Sequence, residues 1–448
     1  VDLTITAATG SVVRVYDGAN LLGTATEGTG ANLGTFTLTT TPLADGAHSI
    51  TATASDATGN TSAASAAKAF TVDTTAPAVP TIALANDSGS SNSDGITTAN
   101  TVNVGGLETG ASWQYRINGG AWADGTNTSF NLTAGQNTYQ VRQTDAAGNT
   151  SGVSDPVVYT LDTAAPAVFI TDDRSGITNG LITYTITFSE AVTGFTADDL
   201  TVVNGTKGAF TKLSDTAYTL VVTPDNNVEG IVTVDIAAAK LTDLAGNNNT
   251  AAPQNLQAVD TKAPNAPVVT QPAALTNDNT VDLTITAATG SVVRVYDGAN
   301  LLGTATEGTG ANLGTFTLTT TPLADGAHSI TATASDATGN TSAASAAKAF
   351  TVDTTAPAVP TIALANDSGS SNSDGITTAN TVNVGGLETG ASWQYRINGG
   401  AWADGTNTSF NLTAGQNTYQ VRQTDAAGNI SGVSDPVVYT LDTAAPAV

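Results

Sequence analysis

Internal repetition is the feature that most constrains the fold of this chain. Residues 281–448 repeat residues 1–168 with one change, Thr150 against Ile430. A shorter pattern recurs within both copies and between them: Asp-x-x-Gly-Asn, followed seventeen residues after its Asp by Asp-Thr-x-Ala-Pro. Such self-similarity indicates an array of small units rather than one large core. The pattern begins at Asp56, Asp145, Asp243, Asp336 and Asp425, and its second part begins at Asp73, Asp162, Asp260, Asp353 and Asp442.

The spacing of the second motif predicts five domains. Its aspartates are 89 to 98 residues apart, which is enough for one small sandwich with its own core. The gap between the two motifs has room for one strand, so each unit ends in a turn, a last strand and a linker. Because the chain starts and ends within this pattern and contains no Met, we expect it to be a segment of a longer array. The predicted domains are residues 1–73 (without a counterpart of residues 263–280), 76–162, 165–260, 263–353 and 356–442.

Alternating apolar residues predict β-strands along the whole chain. In the first domain Ile50, Ala52 and Ala54 show the period of two that is typical of half-buried strands. Gly and Asn separate these runs, and the pair Asn118 and Gly119 predicts a two-residue hairpin turn. We therefore predict an all-β fold in which tandem immunoglobulin-like sandwiches form an extended rod.

Charge and composition exclude several classes of function. The formal net charge is −25, from 38 acidic and 13 basic side chains. Binding of nucleic acid or of an anionic membrane surface needs Lys and Arg, so neither partner is expected. The absence of Cys excludes disulfides and thiolate metal sites. No apolar run approaches the roughly 20 residues of a membrane-spanning helix. Clustered carboxylates, in contrast, suit cations.

The motif aspartates predict calcium sites at the junctions between domains. A strand of about nine residues spans about 30 Å, so the loop Asp and the linker Asp of one domain lie at opposite poles. Across a junction, however, the linker Asp faces the loop Asp of the next domain. Calcium takes six to eight oxygens, which carboxylates, carbonyls and waters supply. The predicted pairs are Asp73 with Asp145, Asp162 with Asp243, Asp260 with Asp336, and Asp353 with Asp425, while Asp56 and Asp442 hold the equivalent terminal positions.

A structural interpretation of the same residues remains open. Asp-x-x-Gly-Asn is also a favourable β-turn, and a linker Asp can cap the chain before a Pro-bearing turn. Further acidic residues follow the first strands of domains two, three and five, where they either add ligands to the next junction or stay solvated. These residues are Asp87 and Asp94, their copies Asp367 and Asp374, and Asp172 and Asp173.

The remaining candidates receive mainly structural interpretations. Trp113, Tyr115 and Trp122 suggest a sugar-stacking platform, but a Trp on a central strand of a sandwich is more often core. His48 is a single residue near a turn, and Glu190 has no partner acid at fixed spacing, so neither is expected to catalyse a reaction. No Ser-His-Asp set, phosphate loop or zinc spacing occurs in the sequence. The chain is therefore predicted not to be an enzyme.

Taken together, the motifs resemble the bacterial Ig-like repeats of large biofilm-associated surface adhesins that are secreted by the type I pathway. Besides the linker and loop motifs, the resemblance rests on residues 43–46, 86–89, 93–97 and 188–192, and it extends over the whole chain. It implies an extracellular extension region at the bacterial cell surface, stiffened by Ca²⁺ at domain junctions, for cell–cell or cell–surface adhesion. Alternatively, single domains bind carbohydrate themselves or associate with like chains on other cells.

Overall fold

The computed structural model describes residues 1–445, and its regular secondary structure consists almost entirely of β-strands. Within that range the helices are three short 3-10 turns, at Gly30–Asn32, Ala197–Asp199 and Gly310–Asn312. Every sheet draws all its strands from one of the five predicted domains. Among the described residues, no helix combines the length and the apolar character that a membrane span requires. The predicted all-β fold of tandem Ig-like sandwiches is confirmed.

In domain one, a single strand joins the two sheets of the sandwich. The strands are β1 (Asp2–Thr6), β2 (Val12–Asp17), β3 (Asn20–Glu27), β4 (Thr35–Thr39), β5 (Gly46–Ser55) and β6 (Lys68–Val72). β3 pairs antiparallel with β2 over most of its length and with β4 at its last two residues. Sequence reasoning did not predict β3, because Leu21, Leu22 and Gly23 interrupt the alternation. The core between the sheets includes Val13, Val15 and Phe36, as the period of two requires.

Domain two consists of a five-stranded and a three-stranded sheet. Its strands are β7 (Thr81–Leu84), β8 (Ile96–Thr97), β9 (Thr101–Gly105), β10 (Ser112–Ile117), β11 (Ala123–Asp124), β12 (Ser129–Asn131), β13 (Gly135–Thr144) and β14 (Val157–Leu161). The sheet orders are β11-β10-β13-β14-β8 and β12-β9-β7. Trp113 is 4% exposed, and its Nε1 donates to the carbonyl of Asn127, so this Trp is core as predicted. Asn118 and Gly119 both have positive φ, and the N–H of Gly120 donates to the carbonyl of Ile117, so the predicted two-residue turn is present; five residues, however, separate β10 from β11.

Domain three has the largest core of the five. Its strands are β15 (Val168–Asp172), β16 (Ile182–Phe188), β17 (Val192–Thr193), β18 (Leu200–Val203), β19 (Gly205–Lys212), β20 (Ala217–Pro224), β21 (Glu229–Ile236), β22 (Thr242–Asp243) and β23 (Asn255–Asp260). They form sheets ordered β15-β16-β20-β19, β18-β21-β23 and β17-β22. Phe188, Phe195 and Tyr218 pack edge to face at one end of this core, an arrangement that aromatic quadrupoles favour.

Domain four repeats domain one with two additional strands. Its strands are β24 (Val268–Val269), β25 (Leu275–Thr276), β26 (Asp282–Thr286), β27 (Val292–Asp297), β28 (Asn300–Glu307), β29 (Thr315–Thr319), β30 (Gly326–Ser335) and β31 (Lys348–Val352). β24 pairs with β26, and β25 runs parallel to β31. Val269 of β24 is 1% exposed and belongs to the core. Residues 263–280, which contain both strands, therefore complete the sandwich of domain four.

Domain five repeats the two sheets of domain two. Its strands are β32 (Thr361–Leu364), β33 (Ile376–Thr377), β34 (Thr381–Gly385), β35 (Ser392–Ile397), β36 (Ala403–Asp404), β37 (Ser409–Asn411), β38 (Gly415–Thr424) and β39 (Val437–Leu441). The core residues are the counterparts of those in domain two, Trp393 and Tyr419 included.

The accessible surface shows that the domains form an extended array. It measures 23617 Å². A compact protein of this mass would expose about 15,600 Å², whereas five separate domains of equal mass would expose roughly 24,000 Å². Little surface is therefore buried between domains, and the few contacts at each junction decide how neighbours are oriented.

Candidate metal centre at the domain junctions

Each linker begins with the same hydrogen-bonded turn. The Oδ1 atom of the linker Asp accepts a hydrogen bond from the backbone N–H two residues further on, the Asx turn that Asp favours before such a bend. The turn occurs at Asp73, Asp162, Asp260, Asp353 and Asp442, with donor–acceptor distances between 2.9 and 3.1 Å.

The Asp-x-x-Gly-Asn loop is closed by its own aspartate. Oδ1 of Asp145 accepts from the backbone N–H groups of Ala147, Gly148 and Asn149, and Oδ2 accepts from the Asn149 side chain. The hydrogen bond from that side chain is the main reason why the pKa of Asp145 lies below its ordinary value. In domain one the corresponding bond from Asn60 lowers the pKa of Asp56 to about 2. The loop aspartates thus have the hydrogen bonds that the structural interpretation requires.

The Asn that ends each loop also crosses the junction. Its side-chain amide donates to the backbone carbonyl of the preceding linker Asp, so it joins loop and linker while holding its own loop closed. The four bonds run from Asn149 to Asp73 (2.9 Å), Asn247 to Asp162 (3.0 Å), Asn340 to Asp260 (2.8 Å) and Asn429 to Asp353 (2.7 Å). The structure therefore brings each linker together with the loop that the sequence paired with it.

At the junction between domains two and three, three acidic side chains converge. Asp162 from the linker, Glu190 from the turn after β16 and Asp243 from the loop each place a carboxylate oxygen within 4.8 Å of the others. Asp243 is 1% exposed and the other two are half-buried. Burial raises the pKa of Glu190, and the nearby charges of Asp162 and Asp243 raise it further. This group can hold a metal ion, and its oxygen-only ligands suit a hard cation.

Sequence reasoning did not assign Glu190 to this site. Glu190 is far in sequence from both aspartates, and it reaches them because Ser189 binds the chain just after the linker. The Ser189 N–H donates to the carbonyl of Ala167, and the Ser189 hydroxyl accepts from the N–H of Ala167. The only sequence signal was an acid in the turn between two short strands of domain three. Among residues 1–445, Asp162, Glu190 and Asp243 are the three acidic side chains that come close enough together to hold a metal ion.

The loop after β7 reaches the same junction. Ser88 donates through its hydroxyl to the carbonyl of Ala245 at 2.8 Å, and the N–H of Ser90 donates to the carbonyl of Leu244 at 3.1 Å. Gly89, at φ 100°, lies so close that a Cβ atom would come within 2.7 Å of the carbonyl carbon of Ala245. This loop therefore lies at the pole of domain two that faces domain three, where the sequence placed it.

The acidic residues of that loop form local hydrogen bonds. Oδ2 of Asp87 accepts from the N–H of Gly95, and Oδ1 of Asp94 accepts from the N–H of Ile96. Oδ1 of Asp87 is buried without a hydrogen-bond partner among the described residues. Their copies in domain five, Asp367 and Asp374, have the same contacts.

The acidic pair of domain three occupies a similar position. Asp172 accepts from the N–H of Arg174, and Asp173 accepts from the N–H of Thr183 and pairs with Arg174 at 3.5 Å. Asn179, further along this loop, donates to Oδ1 of Asn340 across the junction with domain four. The pair therefore belongs to a loop that contacts the following domain.

Family profiles match most of this chain. Two profiles described as "Bacterial Ig-like domain" match residues 162–259 and residues 2–74 with 268–354. A third, described as "Bacterial Ig-like domain (group 3)", matches residues 312–423. Together they extend over more than half of the chain.

Individual proteins show more limited similarity. Exoglucanase B of Cellulomonas fimi is 35% identical over 215 residues, and the match covers 43% of this chain and 18% of that protein. A tetra-tandem repeat in the extending region of a large adhesion protein is 22% identical, with 79% of this chain and 95% of that one covered and a TM-score of 0.31. Fibronectin(III)-like modules of Clostridium thermocellum CbhA are 17% identical, with 39% and 94% covered and a TM-score of 0.24.

Proposed function

This chain belongs to the bacterial Ig-like domains, and from that premise we propose that it is a structural extension region of a bacterial surface adhesin. In this function the array is extracellular and acts without catalysis, holding a binding domain away from the cell for cell–cell or cell–surface adhesion in biofilms. Its immediate partners are its own neighbouring repeats. The observation that carries the proposal is the Asn bond to the linker carbonyl, which recurs at all four junctions.

A spacer has to keep its domains in line. A single hydrogen bond contributes only about 0.5–1.5 kcal/mol, so the Asn bond biases the orientation of two domains without locking it. Facing carboxylates at the same junction repel each other when no cation is present. A bound cation would remove that repulsion and tie the linker to the next loop.

We propose Ca²⁺ as that cation at the junction between domains two and three. Asp162, Glu190 and Asp243 would provide the carboxylate ligands, and backbone carbonyls and water would complete a shell of about six to eight oxygens. Burial beside two carboxylates disfavours the charged form of Glu190 and raises its pKa, and a divalent cation bound there would offset this cost. The aspartate pairs of the other three junctions, together with the acidic loop residues, remain predicted additional ligands.

The test is calcium titration of the whole chain, combined with small-angle scattering in calcium and in chelator. We expect heat of binding from at least one site and a longer, narrower distribution of distances in calcium. The domain cores should survive metal removal because apolar strands form them. The melting temperature should still fall, since a ligand at 100 times its Kd stabilises by about 2.7 kcal/mol.

The variant Glu190→Gln removes one charge from the group with little change in shape, and should weaken calcium binding at this site by about tenfold or more. Glu108→Gln is the matched control, because Glu108 is exposed in domain two outside the acidic group. Equal binding by both variants would refute the calcium site. Identical scattering of the unmodified chain in calcium and in chelator would refute stiffening by metal.

A further inference from the structure

Domains two and five carry an unusual pair of arginines on an outer sheet face. In domain two, Gln114 and Arg116 of β10 lie opposite Arg142 and Gln140 of β13, respectively. Their neighbours Trp113, Tyr139 and Val141 point into the core. Because side chains alternate between the two faces of a strand, the glutamines and arginines all point outward.

Trp122 lies over both arginines. The guanidinium carbon of Arg116 is 4.8 Å from the centre of the indole ring, and that of Arg142 is 4.3 Å from it. Both guanidinium groups thus make cation–π contacts with one indole. Trp122 is outside the buried core and partly exposed. We call Gln114, Arg116, Trp122, Gln140 and Arg142 the Trp–Arg face.

The two arginines have amide partners instead of carboxylate partners. Arg116 donates through Nε to Oε1 of Gln140, and Arg142 donates through Nε and one terminal N–H group to Oε1 of Gln114. Asp124, the carboxylate of this network, accepts from the Gln114 amide. Among residues 1–445 neither arginine forms an ion pair, although the chain carries 38 acidic side chains.

The basic side chains of these two domains occur only on the Trp–Arg face. Arg116 and Arg142 are the only basic side chains in residues 76–162, and Arg396 and Arg422 are the only ones in residues 356–442. Each domain therefore gathers its whole positive charge at one place, under one Trp. The copy in domain five has the same contacts, with Trp402 at 4.8 and 4.3 Å from the two guanidinium carbons. Neighbouring like charges repel, so an anion bound there would be favoured by both arginines at once.

We propose that the Trp–Arg face binds acidic polysaccharide. The indole would stack against a pyranose ring, the guanidinium groups would pair with a carboxylate or sulfate group on the sugar, and the glutamine amides would hydrogen-bond hydroxyls. A sugar is favoured over a protein partner because the Trp–Arg face consists of five side chains, whereas a stable protein interface buries about 1,200 Å² or more. Two such faces on one chain also permit bivalent binding to a polymer. This binding is separate from the spacer role and from calcium.

The test uses the whole chain and three polymers: polygalacturonate (carboxylate), dextran sulfate (sulfate) and neutral dextran. Binding is measured by retardation in gels that contain the polymer and by tryptophan fluorescence. Chelator is present so that calcium cannot bridge carboxylates. We expect binding to one or both acidic polymers and none to dextran. Which acidic polymer binds identifies the anionic group that is recognised.

The decisive variants keep the net charge matched. Replacing Arg116, Arg142, Arg396 and Arg422 by Gln should weaken binding by at least about tenfold. Replacing Arg14, Lys68, Arg294 and Lys348 by Gln removes the same charge from domains one and four, and should leave binding within about twofold. The double variant Trp122→Leu and Trp402→Leu should weaken binding without any change in charge. The double variant Trp122→Phe and Trp402→Phe keeps an aromatic ring and should retain most of the binding. Unchanged circular dichroism verifies folding, and if the Leu variants unfold, the arginine set decides.

Several results would overturn the proposal. They are no binding of either acidic polymer by the unmodified chain, equal retardation by neutral dextran, or equal loss in the two sets of charge variants. Another possible result is that the four arginines are needed for self-association of the chain but not for polymer binding. That result would show that the face docks on the acidic surface of a second copy. That outcome would also refute the polysaccharide proposal.

Discussion

At the scale of single residues, two acceptors favour the protonated form of His48. Its Nδ1 lies 2.6 Å from a carboxylate oxygen of Asp17, and its Nε2 lies 2.7 Å from the carbonyl oxygen of Ala44. Neither partner can donate, so both ring nitrogens must carry hydrogen, which only the imidazolium does. The hydrogen bond to Asp17 is the main reason why the pKa of His48 lies above its ordinary value of 6.5. His328 repeats this geometry.

We predict that both histidines titrate above pH 6.5 in an NMR titration, where the chain contributes only these two histidine signals. Because the folded pKa is raised, the stabilisation is complete below the unfolded value and is lost as pH rises through the folded value. Asp17→Asn should lower the pKa of His48 and leave that of His328 unchanged, and Asp297→Asn should do the reverse. Two titrations at or below pH 6.5 would contradict the proposed imidazolium.

At the scale of strands, domains one and four share a sequence but bury their cores to different extents. β24 and β25 cover one edge of domain four, where Leu283, Ile285 and Phe350 are at most 3% exposed. The equivalent residues of domain one, Leu3, Ile5 and Phe70, are not covered by such strands within residues 1–445 and are half-buried. The hydrophobic effect is proportional to the apolar area removed from water, so β24 and β25 stabilise the core of domain four.

This difference can be measured by thiol labelling, because the chain has no cysteine of its own. Ala52→Cys and Ala332→Cys place the same residue at equivalent positions, which are 9% and 0% exposed. In a polypeptide of residues 1–448, we predict that the thiol in domain one reacts about tenfold faster or more, since local opening is easier in a core that such strands do not cover. The two variants should react alike in denaturant, where their local sequences are the same. Equal rates in the native state would mean that β24 and β25 add no protection.

At the scale of the whole molecule, orientation depends on a few contacts between strongly repeated units. The Asn bond is common to all four junctions, but the neighbouring contacts differ. Thr338 adds a second donor to the carbonyl of Asp260, whereas the junction before domain three adds Ser88 and Ser90. The junctions therefore differ in the hydrogen bonds that connect neighbouring domains.

We predict that Asn149→Ala loosens the junction between domains one and two by about 1 kcal/mol, the usual value of one hydrogen bond. Spin labels at Lys68→Cys in domain one and Asn118→Cys in domain two should then give a broader distance distribution. Asn60→Ala is the matched control, because Asn60 closes the corresponding loop of domain one and, within residues 1–445, its side chain donates only to Asp56 and Thr58. A distribution that is unchanged in Asn149→Ala, or equally broadened in Asn60→Ala, would exclude the cross-junction bond as the cause.

The sequence by itself determined the all-β class, most core strands and the partners at each junction. These features follow from local patterns: a period of two for strands, Gly and Asn for turns, and a motif whose two parts must lie at opposite ends of one strand. Repetition then extended the same argument from one junction to the next. Tertiary structure was not needed for these steps, because they depend on local motifs and on the order of the domains along the chain.

Only the tertiary structure decided which distant residues share a site. Glu190 joins Asp162 and Asp243 because the turn after β16 folds back onto the linker. Trp122, in the loop before β11, lies on the outer face over two arginines, while Trp113 of β10 lies in the core. Composition could not separate the two tryptophans, since burial depends on which face of the sheet a side chain covers. Contacts between residues far apart in sequence arise from packing, which no local pattern specifies.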